Sequence, residues 1–246
     1  MPQAFKLPTR LALGAALLLC LHLPAQAQPT GLLNDTGQTT CFNGSAMEAC
    51  SYANTGDAAT YKRQDGRFGR DVAGVTKVGG GAGGFDFTRI CFNGGAQGSG
   101  TCTGSLVANT TGTASGSPGT DWACTKDNVT NLIWSLQSQA ATWNAATVPT
   151  YPDAGHNSAN RCGFSTGWRL PTRRELLSIV HNGLPDYSTA MVDVAYFPST
   201  FANVYWTSDP YAPYPSGAWI VNFYYGHAFA YYKTGTYYVR LVRSGQ

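Results

Sequence analysis

Six cysteines, Cys41, Cys50, Cys91, Cys102, Cys124 and Cys162, follow an amino-terminal stretch built like an export signal. Lys6 and Arg10 form its basic end, Leu11 to Leu23 its apolar run, and Ala25-Gln26-Ala27 a cleavage site. The apolar run is too short to cross a membrane, and no other stretch is long and apolar enough. Cys20 raises lipidation as an alternative, but Leu19 stands where a lipid attachment site takes a small residue. Residues 1–27 are therefore expected to be a signal peptide. The mature chain is expected in the periplasm, on the outer surface or in the medium. An even number of cysteines in an exported chain implies three disulfides. Local spacing suggests Cys41–Cys50, Cys91–Cys102 and Cys124–Cys162, although the count alone leaves other pairings open. No C-x-x-C occurs and no cysteine has a histidine at metal spacing, so no metal, redox site or cofactor is expected.

Charged residues make up only 12% of the 246, against 29 glycines and 13 prolines, which favours strands and loops over a helical bundle. Losing Lys6 and Arg10 takes the formal charge from +3 to +1, and no basic block remains, so nucleic acid is not an expected partner. Residues 28–118 hold little regular pattern. Cys41-Phe42-Asn43-Gly44 and Cys91-Phe92-Asn93-Gly94 echo each other as small disulfide loops, and Phe85 to Ile90 alternates like a strand. Gly104 to Thr120 reads as a linker or long surface loop. Residues 119–246 are richer. Asn128 to Trp134 reads as a turn entering a strand, Trp143 to Ala146 as a short helix, and His156 to Arg161 as a polar loop. Thr172 and Glu175 form a capping box ahead of Leu176, Ile179 and Val180, predicting an amphipathic helix of about ten residues stopped by Asn182-Gly183. Val204 to Ser208 reads as a strand, and a terminal hairpin is expected to complete the sheet.

The segment Ala218 to Arg243 opens and closes as strand, with Trp219, Val221 and Phe223 at one end and Val239, Leu241 and Val242 at the other. Between them Tyr224, Tyr225, His227, Phe229, Tyr231, Tyr232 and Tyr237 are interleaved with Gly226, Gly235, Thr234 and Thr236. A buried strand would be rich in Val and Ile, and a solvated loop would be polar. Tyrosine mixed with glycine and small polar residues is the composition of evolved binding surfaces. The alternative is an aromatic hairpin packed on its own domain.

Asp127 to Trp134, Trp168 to Leu176, Tyr205 to Ser208 and Ala218 to Arg243 together resemble the bacterial family named for the C-terminal domain of the Legionella collagen-like adhesin. The resemblance covers roughly residues 121–246. It implies a C-type lectin-like domain of the formylglycine-generating-enzyme type: α+β, with a small antiparallel sheet and one or two short helices, preceded by the loop-rich disulfide-stapled region. A narrower resemblance lies in Asn222-Phe223, Gly226, Lys233 and Tyr238-Val239-Arg240, which look like the fixed frame of retroelement-diversified variable proteins. In those, adenine mutagenesis scatters asparagine codons over residue types that exclude Trp, Met, Lys, Glu and Gln. The resemblance implies variation within 205–238 and an adhesive or ligand-binding role.

The expected contact residues are Ser208, Asp209, Tyr211, Tyr214, Tyr224, Tyr225, His227, Phe229, Ala230, Tyr231, Tyr232, Thr234, Gly235, Thr236 and Tyr237. The expected partner is a protein or glycan on a cell surface. Sulfated glycans, through Arg173, Arg174, Lys233, Arg240 and Arg243, are the alternative. An enzyme of the formylglycine-generating type is disfavoured, because all six mature cysteines are better explained as disulfides. His156, His181 and His227 are scattered, and no nucleophile elbow, H-E-x-x-H or phosphate loop occurs. The sugar-binding motifs of calcium-dependent lectins are also missing, and the terminal segment carries no carboxylate.

Overall fold

The computed structural model describes residues 34–50, 64–67, 70, 74–184 and 188–245. The expected signal peptide lies outside the described residues. Strand dominates what is described: β1 (Thr40–Phe42), β2 (Met47–Ala49), β3 (Phe87–Cys91), β4 (Val107–Ala108), β5 (Asp121–Asp127), β6 (Leu132–Ser135), β7 (Gln139–Thr142), β8 (Val204–Pro210), β9 (Gly217–Asn222), β10 (His227–Tyr232), β11 (Thr236–Val239) and β12 (Val242–Ser244). The two α-helices among the described residues, α1 (Trp143–Thr147) and α2 (Arg173–Leu177), are five residues each. The expected α+β class with a small sheet is therefore wrong, and the protein is mostly β.

Each helix is short for a local reason. Val148 is extended ahead of Pro149, whose ring excludes helical geometry from its predecessor, and this ends α1. The hydroxyl of Ser178 donates to the Glu175 carbonyl and caps α2 early, so Ile179 and Val180 leave the helix and enter the core. The start of α2 is as the capping box predicts. Thr172 Oγ1 accepts from the Glu175 N–H, and Glu175 accepts from the Thr172 N–H at 2.7 Å. Arg169 clamps the same carboxylate with two bonds of 2.8 and 2.6 Å.

Three sheets form among the described residues: the hairpin β1-β2, a five-stranded sheet in the order β10-β9-β8-β11-β7, and a second built on β12-β6-β5-β3 with β4 beside β5. The strand expected within Phe85 to Ile90 forms as β3 and pairs antiparallel with β5, in the same sheet as β6 and β12. Side chains along β8 and β9 alternate between two cores. Tyr205 and Val221 join Phe87, Trp134, Leu176 and Phe223 in one; Trp206 and Ile220 join Ile133, Trp168, Leu170 and Leu241 in the other. The central strands are thus buried on both faces, which suits their apolar composition.

The end of the chain is not one hairpin. β9 and β10 form a hairpin, β11 inserts between β8 and β7, and β12 joins the second sheet. Arg240 sits at that change of sheet, with no exposed surface. Its guanidinium donates to Ser135 O at 2.9 Å, Ser138 Oγ at 3.1 Å and Thr200 Oγ1 at 2.8 Å, over the Phe197 ring. The stretch read as a polar loop also holds buried groups. Arg161 is fully buried and donates to the carbonyls of Thr111, Asn109 and Ala123, so it pins the Gly104–Thr120 stretch, from which β4 emerges, onto β5. His156 is buried beside Ser135 Oγ at 2.8 Å and edges onto Trp168. Spacing could not show this, because the partners come from distant residues.

All three suggested disulfides form: Cys41–Cys50, Cys91–Cys102 and Cys124–Cys162. The last spans 38 residues and restricts the unfolded chain most; loop-closure entropy puts its contribution on the order of 4 kcal/mol.

Two stability outcomes follow from these buried groups. Burial alone would raise the Glu175 carboxyl, but Arg169 and the Thr172 donors outweigh it and hold it below its ordinary range. Its contribution is present above the unfolded carboxyl range and is lost as pH falls through the lower folded value. Glu175→Gln should cost about 3 kcal/mol in chemical denaturation at neutral pH. Burial first, and the Arg161 charge second, push His156 down from 6.5 to about 3. The folded imidazole then refuses a proton that the unfolded chain accepts, so stability should fall on acidification through that window by up to about 1.4 kcal/mol per pH unit. The stability gap between wild type and His156→Gln should narrow over the same range; a constant gap would contradict this.

Candidate ligand-binding surface

β10 is an edge strand, and its period-two alternation splits the expected contact residues into two groups. His227, Phe229 and Tyr231 lie on the side of Asn222, Ile220 and Ala218, their register partners on β9. Ala228, Ala230 and Tyr232 lie on the other. The first group is one row of rings. Centroid distances run 5.6 Å from Tyr225 to His227, 5.4 Å to Phe229, 5.3 Å to Tyr231, 5.0 Å to Tyr237 and 5.2 Å to the buried Trp206. Tyr224 meets Tyr225 edge-on at the start of the row. Phe229 and Tyr237 are half-buried against the core, which anchors the row, while Tyr225 is 54% exposed.

On the other side, Tyr211, Tyr214, Ser216, Gly217, Ala230 and Tyr232 line an open pocket of about 330 Å³, which Tyr231 of the ring row also borders. Tyr232 is 71% and Tyr214 67% exposed. Tyr211 packs edge-on against Trp219, and the Arg173 guanidinium lies 4.1 Å from the Trp219 ring. Ser216, Gly217 and Trp219 were not expected here. The repeat Pro210-Tyr211 and Pro213-Tyr214-Pro215 was the signal that could have marked this turn as a site wall.

Other expected residues fall differently. Asp209 accepts from the Arg173 N–H and so caps α2, and the Ser208 N–H donates to Pro171 O. Thr234 and Thr236 are exposed and Gly235 half-exposed, in the turn and first residue leading into β11. Arg240 and Arg243 are buried, Arg243 with its guanidinium over Phe164, so neither is available to a sulfated glycan. His156 and His181 are buried in separate places, and His227 is on β10.

The residues that carry the narrower resemblance have structural duties. Asn222 Oδ1 accepts from the Tyr224 N–H at 2.7 Å and its carbonyl from Gly226 N–H, shaping the β9–β10 turn. Phe223 is fully buried. Gly226 has φ +72°. Lys233 Nζ donates to Pro215 O and lies over the Trp143 ring, holding the Tyr211–Tyr214 turn near β10. Tyr238 stacks on Phe201 and Tyr205. Between these anchored positions, Tyr224, Tyr225, His227, Tyr231 and Tyr232 all reach solvent.

Fold and surface together define a disulfide-stapled β-module with an aromatic edge. Residues 123–243, from within β5 to within β12, match the Lcl C-terminal domain family. This is the stretch that the four sequence motifs marked. Comparison with curated proteins gave no match.

A Cβ on residue 226 would stand 3.1 Å from Asn182 Oδ1, Met191 Sδ and Val180 Cγ1, in a left-handed conformation. Gly226→Ala should therefore cost about 1–3 kcal/mol, whereas Tyr225→Ser, one residue away, should leave the melting temperature nearly unchanged.

Proposed function

We propose that this is an exported ligand-binding protein that presents a tyrosine-rich, retroelement-diversified surface to a cell-surface target. One observation carries the reading: within 218–243, residues of the frame are anchored, while most of the interleaved aromatics reach solvent. Side chains outside the core can change without unfolding the domain. Tyrosine suits the exposed positions because it offers contact area at low rotamer cost. The three disulfides favour an oxidising compartment. Among the described residues no helix is long and apolar enough to cross a membrane. The match to the Lcl C-terminal domain supports an adhesin-type role. The protein acts as a binder, not a catalyst; the engagement of all six mature cysteines in disulfides speaks against formylglycine-type chemistry.

Replacing Tyr224, Tyr225, Tyr231 and Tyr232 together by Ser tests the reading. The melting temperature should stay within a few degrees, while binding to cells that capture the unsubstituted protein should fall at least about a hundredfold, the loss of one or two hot-spot rings. Sequencing the flanking DNA tests diversification separately: a near-copy of the 3′ coding end differing at adenines, beside a reverse transcriptase gene, is expected. A collapse in stability with the four substitutions would make the aromatics core residues and defeat the proposal.

A further inference from the structure

The outer edge of β10 is open as well as aromatic. Among the described residues, β9 is the only strand that pairs with it. Proteins usually blunt such an edge with charge, proline, a bulge or a cover, since unpaired backbone groups recruit other strands. β10 reads His-Ala-Phe-Ala-Tyr-Tyr and pairs through six consecutive positions with no register shift. β8, in the same sheet, ends on Pro210 and shifts register. β10 has neither device.

The ladder shows which groups the edge offers. Lys233 N–H donates to Ser216 O at 2.9 Å, so Tyr232 and Gly217 form a non-hydrogen-bonded pair. Asn222 fixes the same phase at the other end. The Phe223 N–H donates to Asn203 O, which turns the backbone groups of Asn222 away from β8 and toward His227. His227, Phe229 and Tyr231 thus spend their backbone groups on β9. The N–H and C=O of Ala228 and Ala230 point outward, as does the Tyr232 N–H; the Tyr232 carbonyl accepts from Gly235. The outward groups at the centre belong to alanines, the residues that least obstruct an incoming backbone.

We infer that this edge receives an extended peptide segment of a protein target as an added strand, a reading that rests on the proposed ligand-binding role and names its partner class. Only another backbone complements a row of alternating N–H and C=O groups at strand spacing. The segment's alternate side chains would lie along the ring row on one side and enter the Tyr211–Tyr232 pocket on the other. The pocket's apolar, ring-lined walls select apolar or aromatic side chains. The stretch from Ala218 to Arg243 carries the half-exposed Lys233, the buried Arg240 and Arg243 and no carboxylate, so the segment is neutral or acidic overall. Such a division suits a surface whose side chains vary: main-chain bonds supply affinity that does not depend on them, and the rings supply specificity.

The experiment uses the mature protein, isotopically labelled, and a displayed library of linear peptides of about ten residues, the length of a strand and its flanks. Selected peptides should alternate apolar residues. Binding should protect the amides of Ala228, Ala230 and Tyr232 from hydrogen exchange and leave the already paired His227, Phe229 and Tyr231 amides little changed. Ala230→Pro removes an outward N–H that β9 does not use, so it should preserve the melting temperature and weaken the peptide at least about tenfold. If that variant unfolds, the exchange pattern of the unsubstituted protein decides. No selected peptide, bound peptide without new protection at the three amides, or protection by self-association alone would overturn the inference. Loss of binding in the four-tyrosine variant bears on the ligand-binding role; unchanged binding by Ala230→Pro overturns only the added strand.

Discussion

A guanidinium without exposed surface holds the C-terminal half together. Arg240 lies where the chain leaves one sheet for the other, and its donors reach Ser135 at the end of β6, Ser138 ahead of β7 and Thr200 ahead of β8. Burial lowers its proton affinity, yet an arginine remains charged, so the structure must solvate it from within. It does so with one carbonyl and two hydroxyls, with no carboxylate among these partners. Removing the cation would leave those acceptors unsatisfied between two sheets; removing them would strand a charge. Arg161 repeats the device with three carbonyls and fixes the long loop ahead of β5.

These anchors explain how so aromatic a segment can be so exposed. Phe223, Val239 and Arg240 bury themselves at the two ends, and Lys233 ties the β10–β11 turn to the neighbouring loop. The residues between them have little core to supply. Phe229 and Tyr237 are the exceptions; half-buried, they couple the ring row to Trp206 and Ile220. A surface organised this way is preorganised, which would limit the ordering cost of the proposed binding.

Local chemistry was legible in the sequence and long-range chemistry was not. The capping box, the α1 start and the Cys41–Cys50 and Cys91–Cys102 loops involve residues close in the chain, where spacing carries the information. Even Cys124–Cys162 was reachable, because two cysteines remained once the local pairs were set. The length of α2 is not legible because Ile179 and Val180 keep the helical period of apolar residues, although Ser178 and Ile179 form a turn that closes the helix. His156 and Arg161 looked like loop polarity because their partners, Ser135, Asn109 and Ala123, are scattered along the chain. The switch of β12 to the second sheet left no periodic trace: strand, turn and strand read alike whether the chain returns or departs. The aromatic character of the segment was legible as composition, but its division into a ring row and a pocket needed the β9–β10 register.

A saturation scan of residues 218–243, read by folded stability on a display surface rather than by binding, tests most directly whether the segment divides into scaffold and free positions. Substitutions at Asn222, Phe223, Gly226, Tyr238, Val239 and Arg240 should be depleted. Those at Tyr224, Tyr225, His227, Tyr231, Tyr232, Thr234 and Thr236 should be nearly neutral, with Phe229 and Tyr237 between. Uniform intolerance across the tyrosines would show that the rings hold the fold together, and the division into frame and surface would fail.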